Sequence, residues 1–183
     1  KASIARECAA RIPDGISLFL NIGTSTEAVA QELLHHKDLM VVTNNMNVAN
    51  ILVANPDCEV LVTGGTLRRT DGGLIGTLAT DSIRQFKFDL AVIGCSALDA
   101  EGDILDFDIQ EVGVSRAILR HSRKTYLVAD HSKFKRSAPA RIASLAEVDL
   151  FVTDEPLSPA LARSCESWNT GVVVARAERA EAG

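Results

Sequence analysis

The residues able to do chemistry in this chain stand in short polar clusters, each placed just after an apolar run. Asn21-Ile22-Gly23-Thr24-Ser25-Thr26 gathers three hydroxyls and free backbone N–H groups around a glycine that permits close approach. That pattern suits a phosphate cradle or, equally, a simple helix cap. It is neither a P-loop, because no GK[ST] follows, nor a dinucleotide fingerprint, because GxGxxG is missing. Thr43-Asn44-Asn45 offers two amides, each free to cap a helix or to face a ligand. Thr63-Gly64-Gly65-Thr66-Leu67-Arg68-Arg69 sets a glycine pair beside two guanidinium groups, and Arg presents a planar fork suited to phosphate. A solvated turn is the plain alternative there.

Two further clusters are charged. The stretch from Glu101 to Glu111 carries Asp106, Asp108 and Glu111, carboxylates that accept hydrogen bonds from ligand hydroxyls, act as general acids or bases, or bind a hard cation. Its spacing does not follow the calcium loop, so no metal is expected, and the commonest fate of such a run is a solvated, helix-capping loop. Asp130-His131-Ser132-Lys133-Phe134 adds a lysine that reads as an anion partner or as an ordinary surface residue. Cys95 follows a buried run with no histidine near it in sequence, and is read as a structural thiol.

Each cluster must be held by something. The apolar runs Ser17–Leu20, Met40–Val42, Glu59–Val62, Leu90–Ile93, Thr125–Ala129, Leu150–Val152 and Val172–Val174 read as strands. They are continuous rather than alternating, as strands buried on both faces of a parallel sheet are. Between them, Ser25–Leu34, Asn45–Ala54 and Ile109–His121 carry apolar residues at helical spacing. The fold class expected is α/β: a mostly parallel open sheet with helices on both faces. Ligands in such sheets bind beyond the carboxyl ends of the strands, where the polar clusters fall. Five strand ends then converge on one pocket, with cations for a phosphate and acceptors for the hydroxyls of a small polyol or sugar.

Composition sets the outer limits. The chain has 183 residues, 46% apolar and 23% charged, with a formal charge of −5. That fits one domain of roughly 100–200 residues, here residues 1–175, followed by a charged tail at 176–183. Cys8, Cys58, Cys95 and Cys165 form no CxxC pair, so no zinc site is spelled. The acidic balance lacks the basic footprint of a domain that grips nucleic acid. No run approaches the roughly 18–20 apolar residues of a membrane span, and a cytoplasmic location is expected. The chain opens at Lys1 within a helix-like pattern of Ile4, Cys8 and Ile12, so a preceding segment is expected as well.

Taken in order, Asn21-Ile22-Gly23-Thr24-Ser25, Val42-Thr43-Asn44-Asn45, Gly64-Gly65-Thr66-Leu67-Arg68, Phe88-Asp89, Asp130-His131-Ser132-Lys133-Phe134 and Val152-Thr153-Asp154 resemble the effector-binding domain of DeoR-type transcriptional repressors, over about residues 1–155. The stretches EAVAQELL (27–34), VVTNNMNVAN (41–50), RRTDGGLIG (68–76), ILDFDIQEV (104–112) and VADHSKF (128–134) look most like members that answer to glycerol-3-phosphate.

The resemblance implies a fold like ribose-5-phosphate isomerase and the CoA transferases, a phosphorylated sugar or polyol as effector, no cofactor, and a homodimer or homotetramer. It also implies an N-terminal winged helix-turn-helix, lying outside this chain, that contacts DNA. Carried over, Gly23, Thr24, Ser25 and Thr26 form the phosphate loop, with Arg68 and Lys133 as cationic partners. Asn44, Asn45 and Gly65 complete the wall, while Asp106, Asp108 and Glu111 meet polyol hydroxyls. Asn21 stands where many members carry Asp, and Ser25 where many carry Thr. The competing function on this fold is a sugar-phosphate isomerase or deaminase. Those enzymes show an Asp-Gly-Ala-Asp-like signature where this chain reads Gly94-Cys95-Ser96-Ala97-Leu98-Asp99, which lacks the first carboxylate, so no catalytic residue is expected.

Overall fold

The computed structural model describes residues 1–177. Of the charged tail expected at 176–183, residues 178–183 lie outside the described residues. The chain runs α1 (Ala2–Ala9), β1 (Ser17–Leu20), α2 (Thr24–Glu32), β2 (Leu39–Thr43), α3 (Met46–Leu52), β3 (Cys58–Val62), β4 (Thr66–Leu67), β5 (Leu74–Ile75), α4 (Thr77–Arg84) and β6 (Phe88–Ile93). It continues with β7 (Ala97–Leu98), β8 (Asp103–Asp106), α5 (Ile109–Arg120), β9 (Ser122–Val128), β10 (Ala140–Ser144), β11 (Leu150–Thr153), α6 (Pro159–Ser167) and β12 (Gly171–Val174).

Seven strands form one sheet in the order β12-β11-β9-β6-β1-β2-β3, every neighbouring pair parallel. The continuous apolar runs have a direct cause in this sheet. Leu18, Leu20, Val41, Leu90, Val92, Val128 and Val152 point into one core with α1, α2 and α3. The intervening Phe19, Val42, Ala91, Ile93, Leu127 and Phe151 point into the other with α4, α5 and α6. With side chains alternating across the sheet and helices on both faces, neither set of positions can be polar. Phe19 and Phe88, both fully buried, meet at 5.3 Å between ring centroids and fix β1 beside β6.

Two smaller sheets lie over the carboxyl ends of the strands or beside them. The β4–β5 hairpin follows β3, and β10-β8-β7 form an antiparallel sheet. The acidic stretch expected as a solvated loop is therefore partly a strand: β8 spans Asp103–Asp106, and Asp106 is only 4% exposed. Residues after 155 add α6, whose Leu161 and Cys165 enter the core, and β12, which pairs with β11. Trp168 packs against the same core.

Candidate functional site

In the sheet order, β1 is the point from which the chain extends to β2 and β3 on one side and to β6, β9, β11 and β12 on the other. Such a reversal opens a crevice between the two diverging connections at the carboxyl edge. A cleft of about 170 Å3 lies there, with Ile22 and Gly23 after β1 on one side and Gly94, Cys95 and Ser96 after β6 on the other. It is smaller than the roughly 300–1,000 Å3 of sites that hold drug-sized ligands, a size that suits only a small molecule. A larger depression of about 720 Å3 over α6 and β12 is open and gathers no comparable set of hydroxyls, cations and carboxylates, so the chemistry is assigned to the smaller cleft.

The floor of the cleft is the start of α2. Gly23 precedes this helix with φ +132°, and no side chain caps its first turn. The opening N–H groups of a helix have no partner within it and carry the positive end of its dipole, so they favour an anion. Thr24 and Ser25 add hydroxyls at the same place. Lys133 enters from the turn after β9, where Asp130 caps a short 3-10 helix over His131–Lys135 by accepting from the Ser132 N–H at 2.9 Å. Among the described residues, no hydrogen bond or ion pair engages the Lys133 ammonium, which lines the cleft and acts on Asp130 only through its charge.

The opposite wall is acidic. Asp106 accepts from the Ser96 hydroxyl at 3.1 Å and from the Phe107 N–H at 2.7 Å. Glu111, in the first turn of α5, also faces the cleft. Burial, reinforced by the neighbouring charge of Asp106, pushes its carboxyl up to about 7, against the downward pull of Arg68. Near neutrality Glu111 therefore both donates and accepts hydrogen bonds, which suits a wall facing hydroxyls or a phosphate edge. Cys95 lies between the two walls, but burial raises its thiol to about 12, so it stays protonated and is no nucleophile.

Arg68 reaches the cleft from the β4–β5 hairpin in a different state from the one its sequence implies. Its guanidinium binds the Asp71 carboxylate through two nitrogens, Asp108 Oδ2 at 3.0 Å and Glu111 Oε2 at 2.9 Å. Three carboxylates already compensate this one cation. These ion pairs tie the hairpin to the start of α5.

The residues singled out in the sequence thus divide. Gly23, Thr24, Ser25, Arg68, Asp106, Glu111 and Lys133 line the cleft together. Asn21, Thr26, Asn44, Asn45, Gly65 and Asp108 stand behind it. Asn21 is buried, donating to Ser115 Oγ at 3.1 Å and accepting from the Ile22 N–H at 2.8 Å. The Thr26 hydroxyl lies 2.6 Å from the Asn21 carbonyl and 2.8 Å from that of Gly23, shaping the loop rather than facing a ligand. Asn44 donates to the Leu74 carbonyl at 3.2 Å. Asn45 caps α3, its Oδ1 accepting from the Asn47 and Val48 N–H groups. Gly65 has φ +132°, and a Cβ there would lie 2.8 Å from the Ile75 carbonyl, so this glycine closes the hairpin. Asp108 caps α5 and holds Arg68. Asp71, Ser96 and Cys95 also line the cleft without having been selected from the sequence. Their signal was position: each follows an element that ends at the same rim.

The profile of the family described as the DeoR C terminal sensor domain matches residues 1–155. This chain belongs to that family. The glycerol-3-phosphate regulon repressor of Escherichia coli K12 is 47% identical to this DeoR sensor domain over 156 residues, 85% of the chain and 62% of the repressor. A glycerol-3-phosphate regulon repressor from Haemophilus influenzae is 50% identical over 157 residues, 85% of the chain and 61% of that protein. The chain therefore spans about three fifths of the length of these relatives. Among solved structures, ribose 5 phosphate isomerase A from Neisseria gonorrhoeae superposes with a TM-score of 0.53 at 12% identity, over 73% of this chain and 52% of the isomerase. That likeness is one of fold, and it agrees with the fold the sequence resemblance implied. Among the described residues of the DeoR sensor domain, no helix is long and apolar enough to cross a membrane.

Proposed function

We propose that the cleft between β1 and β6 is the effector site of a repressor, taking a small phosphorylated polyol or sugar, most nearly glycerol-3-phosphate. The observation that carries this reading is the meeting of the uncapped α2 start and the unengaged Lys133 with the acidic wall of Asp106 and Glu111 in one small cleft. The phosphate sits at the α2 N–H groups, the hydroxyls of Thr24 and Ser25, and Lys133. The carbon chain turns its hydroxyls toward Asp106, Ser96 and Glu111. The names of the repressor relatives support this effector class.

The site recognises without turning over. The end of β6 offers Gly94 and a protonated Cys95 thiol where the isomerase signature has its first carboxylate, and Glu111, whose carboxyl burial pushes up to about 7, is tied to Arg68. Occupancy changes operator affinity through a DNA-binding segment outside this chain, within a cytoplasmic homodimer or homotetramer. Residues 1–175 act as one sensing and assembly unit. Such regulation requires tighter effector binding in the DNA-incompetent arrangement, and a tenfold preference corresponds to about 1.4 kcal/mol per site.

Calorimetric titration with glycerol-3-phosphate, with glycerol and inorganic phosphate as controls, tests the reading alongside assays for turnover of ribose-5-phosphate and glucosamine-6-phosphate. Saturable binding of the phosphate ester, tighter than either control and without turnover, is expected. Turnover of either sugar phosphate would make the protein an enzyme and overturn the reading.

A further inference from the structure

The cleft is short of positive charge for the ligand assigned to it. Its lining holds two cations, Arg68 and Lys133, against three carboxylates, Asp71, Asp106 and Glu111. Arg68 is fully engaged by carboxylates, so Lys133 alone would face a phosphate carrying between one and two negative charges. A third cation lies at the rim. Lys1 Nζ donates to Thr24 Oγ1 at 2.7 Å, which sets this ammonium on the first residue of α2. Its charge also reaches Asp130 across the mouth of the cleft, where it joins Lys133 and the Ser132 hydrogen bonds in holding that carboxyl below its usual range against the opposing effect of burial.

Lys1 is not a loose side chain on an unrelated surface. Its carbonyl accepts the Ala5 N–H at 3.0 Å, so it is built into the first turn of α1. That helix packs Ile4, Ala5, Cys8 and Ala9 into the core that also holds Val29, Ala30 and Leu33 from α2 and the turn after it. Arg6 and Glu32 form a longer ion pair at 4.0 Å between the same two helices. An electrostatic pull on Lys1 therefore acts on the whole of α1.

We propose that Lys1 is a second cationic ligand of the effector phosphate, closing the cleft from α1 and coupling occupancy of the site to the position of that helix. The inference rests on the effector reading above and adds to it the residue and the element that report binding. With the phosphate at the start of α2, the Lys1 ammonium turns from Thr24 Oγ1 to a phosphate oxygen while Thr24 keeps its own hydrogen bond to the ligand. The contact with Thr24 holds Lys1 within reach, which lowers the entropy lost on binding.

The test compares the unaltered chain with Lys1→Met and Lys1→Arg by calorimetric titration with glycerol-3-phosphate and with glycerol, and follows amide hydrogen exchange in α1. The inference predicts about a tenfold loss of glycerol-3-phosphate affinity in Lys1→Met and recovery in Lys1→Arg. Glycerol binding and melting temperature should be unchanged across the three proteins. It also predicts that glycerol-3-phosphate slows exchange at Ala5–Ala9 in the unaltered chain and in Lys1→Arg but not in Lys1→Met. Binding by Lys1→Met equal to that of the unaltered chain would overturn the inference while leaving the effector site standing. No binding of glycerol-3-phosphate by the unaltered chain would overturn both.

Discussion

Arg68 and Lys133 have similar roles in the sequence and different ones in the structure. Among the described residues Lys133 has no ion-pair partner, and it lines the cleft half-buried, so Lys133→Ala should weaken glycerol-3-phosphate binding about tenfold or more with little change in melting temperature, since an unpaired rim charge contributes little to stability. Arg68 holds Asp71, Asp108 and Glu111 together. Arg68→Ala leaves three partly buried carboxylates facing one another, and should lower stability by about 1–3 kcal/mol as well as weakening binding, measured by denaturant unfolding. Glu111 carries the pH dependence. Its carboxyl titrates at about 7 in the fold against 4.5 as a free group, because burial and Asp106 disfavour the charged form. The folded state then binds more protons than the unfolded state between those values, so this group's contribution lowers stability as pH rises through the window and is absent below it. Glu111→Gln should flatten that part of the stability profile. A phosphate bound across the same small cleft disfavours the charged Glu111 carboxylate further, so effector binding near pH 7 should take up more protons in the unaltered chain than in Glu111→Gln, read by calorimetry in buffers of different ionisation heat.

The elements were legible in the sequence where burial is two-sided and much less so where it is not. Ser17–Leu20 was bounded correctly from its apolar run, and all seven strands of the parallel sheet were found within a few residues of their ends. The continuous runs exist because both faces of that sheet are covered, a strong and local signal. The β4–β5 hairpin, the β7–β8–β10 sheet and α4 left no such mark. β4 is exposed along its length, and α4 buries only Ala79 and Ile83. The same contrast governs the site. Rim positions could be read from where strands end, but Asn21, Thr26, Asn44 and Asn45 carry the same polar groups as ligand residues and spend most of them on partners inside the fold: backbone groups, the Ser115 hydroxyl and the Glu27 carboxylate. Asn45 makes this testable. Its loss as the α3 cap should cost about 1 kcal/mol of stability, while glycerol-3-phosphate affinity stays near that of the unaltered chain. A large selective loss of affinity in Asn45→Ala would move this amide back into the binding wall.

At the scale of the whole molecule, the cleft proposed as the effector site lies where the sheet order reverses at β1, with a hydrophobic core on each face of the sheet behind it. A ligand that bridges the walls of that cleft stabilises the entire fold by mass action. Glycerol-3-phosphate at about a hundred times its Kd should add about 2.7 kcal/mol and raise the melting temperature by several degrees. Glycerol at the same concentration should do far less, because it leaves the α2 start and Lys133 without an anion. Whether the effector binds between β1 and β6 is decided by an amide NMR titration of the chain with glycerol-3-phosphate. Saturable shifts should concentrate at Gly23, Thr24 and Ser25, with Ser96 and Glu111 following on the opposite wall, and glycerol should change little. Shifts confined to the depression over α6 and β12, with the start of α2 unmoved, would contradict binding at that cleft.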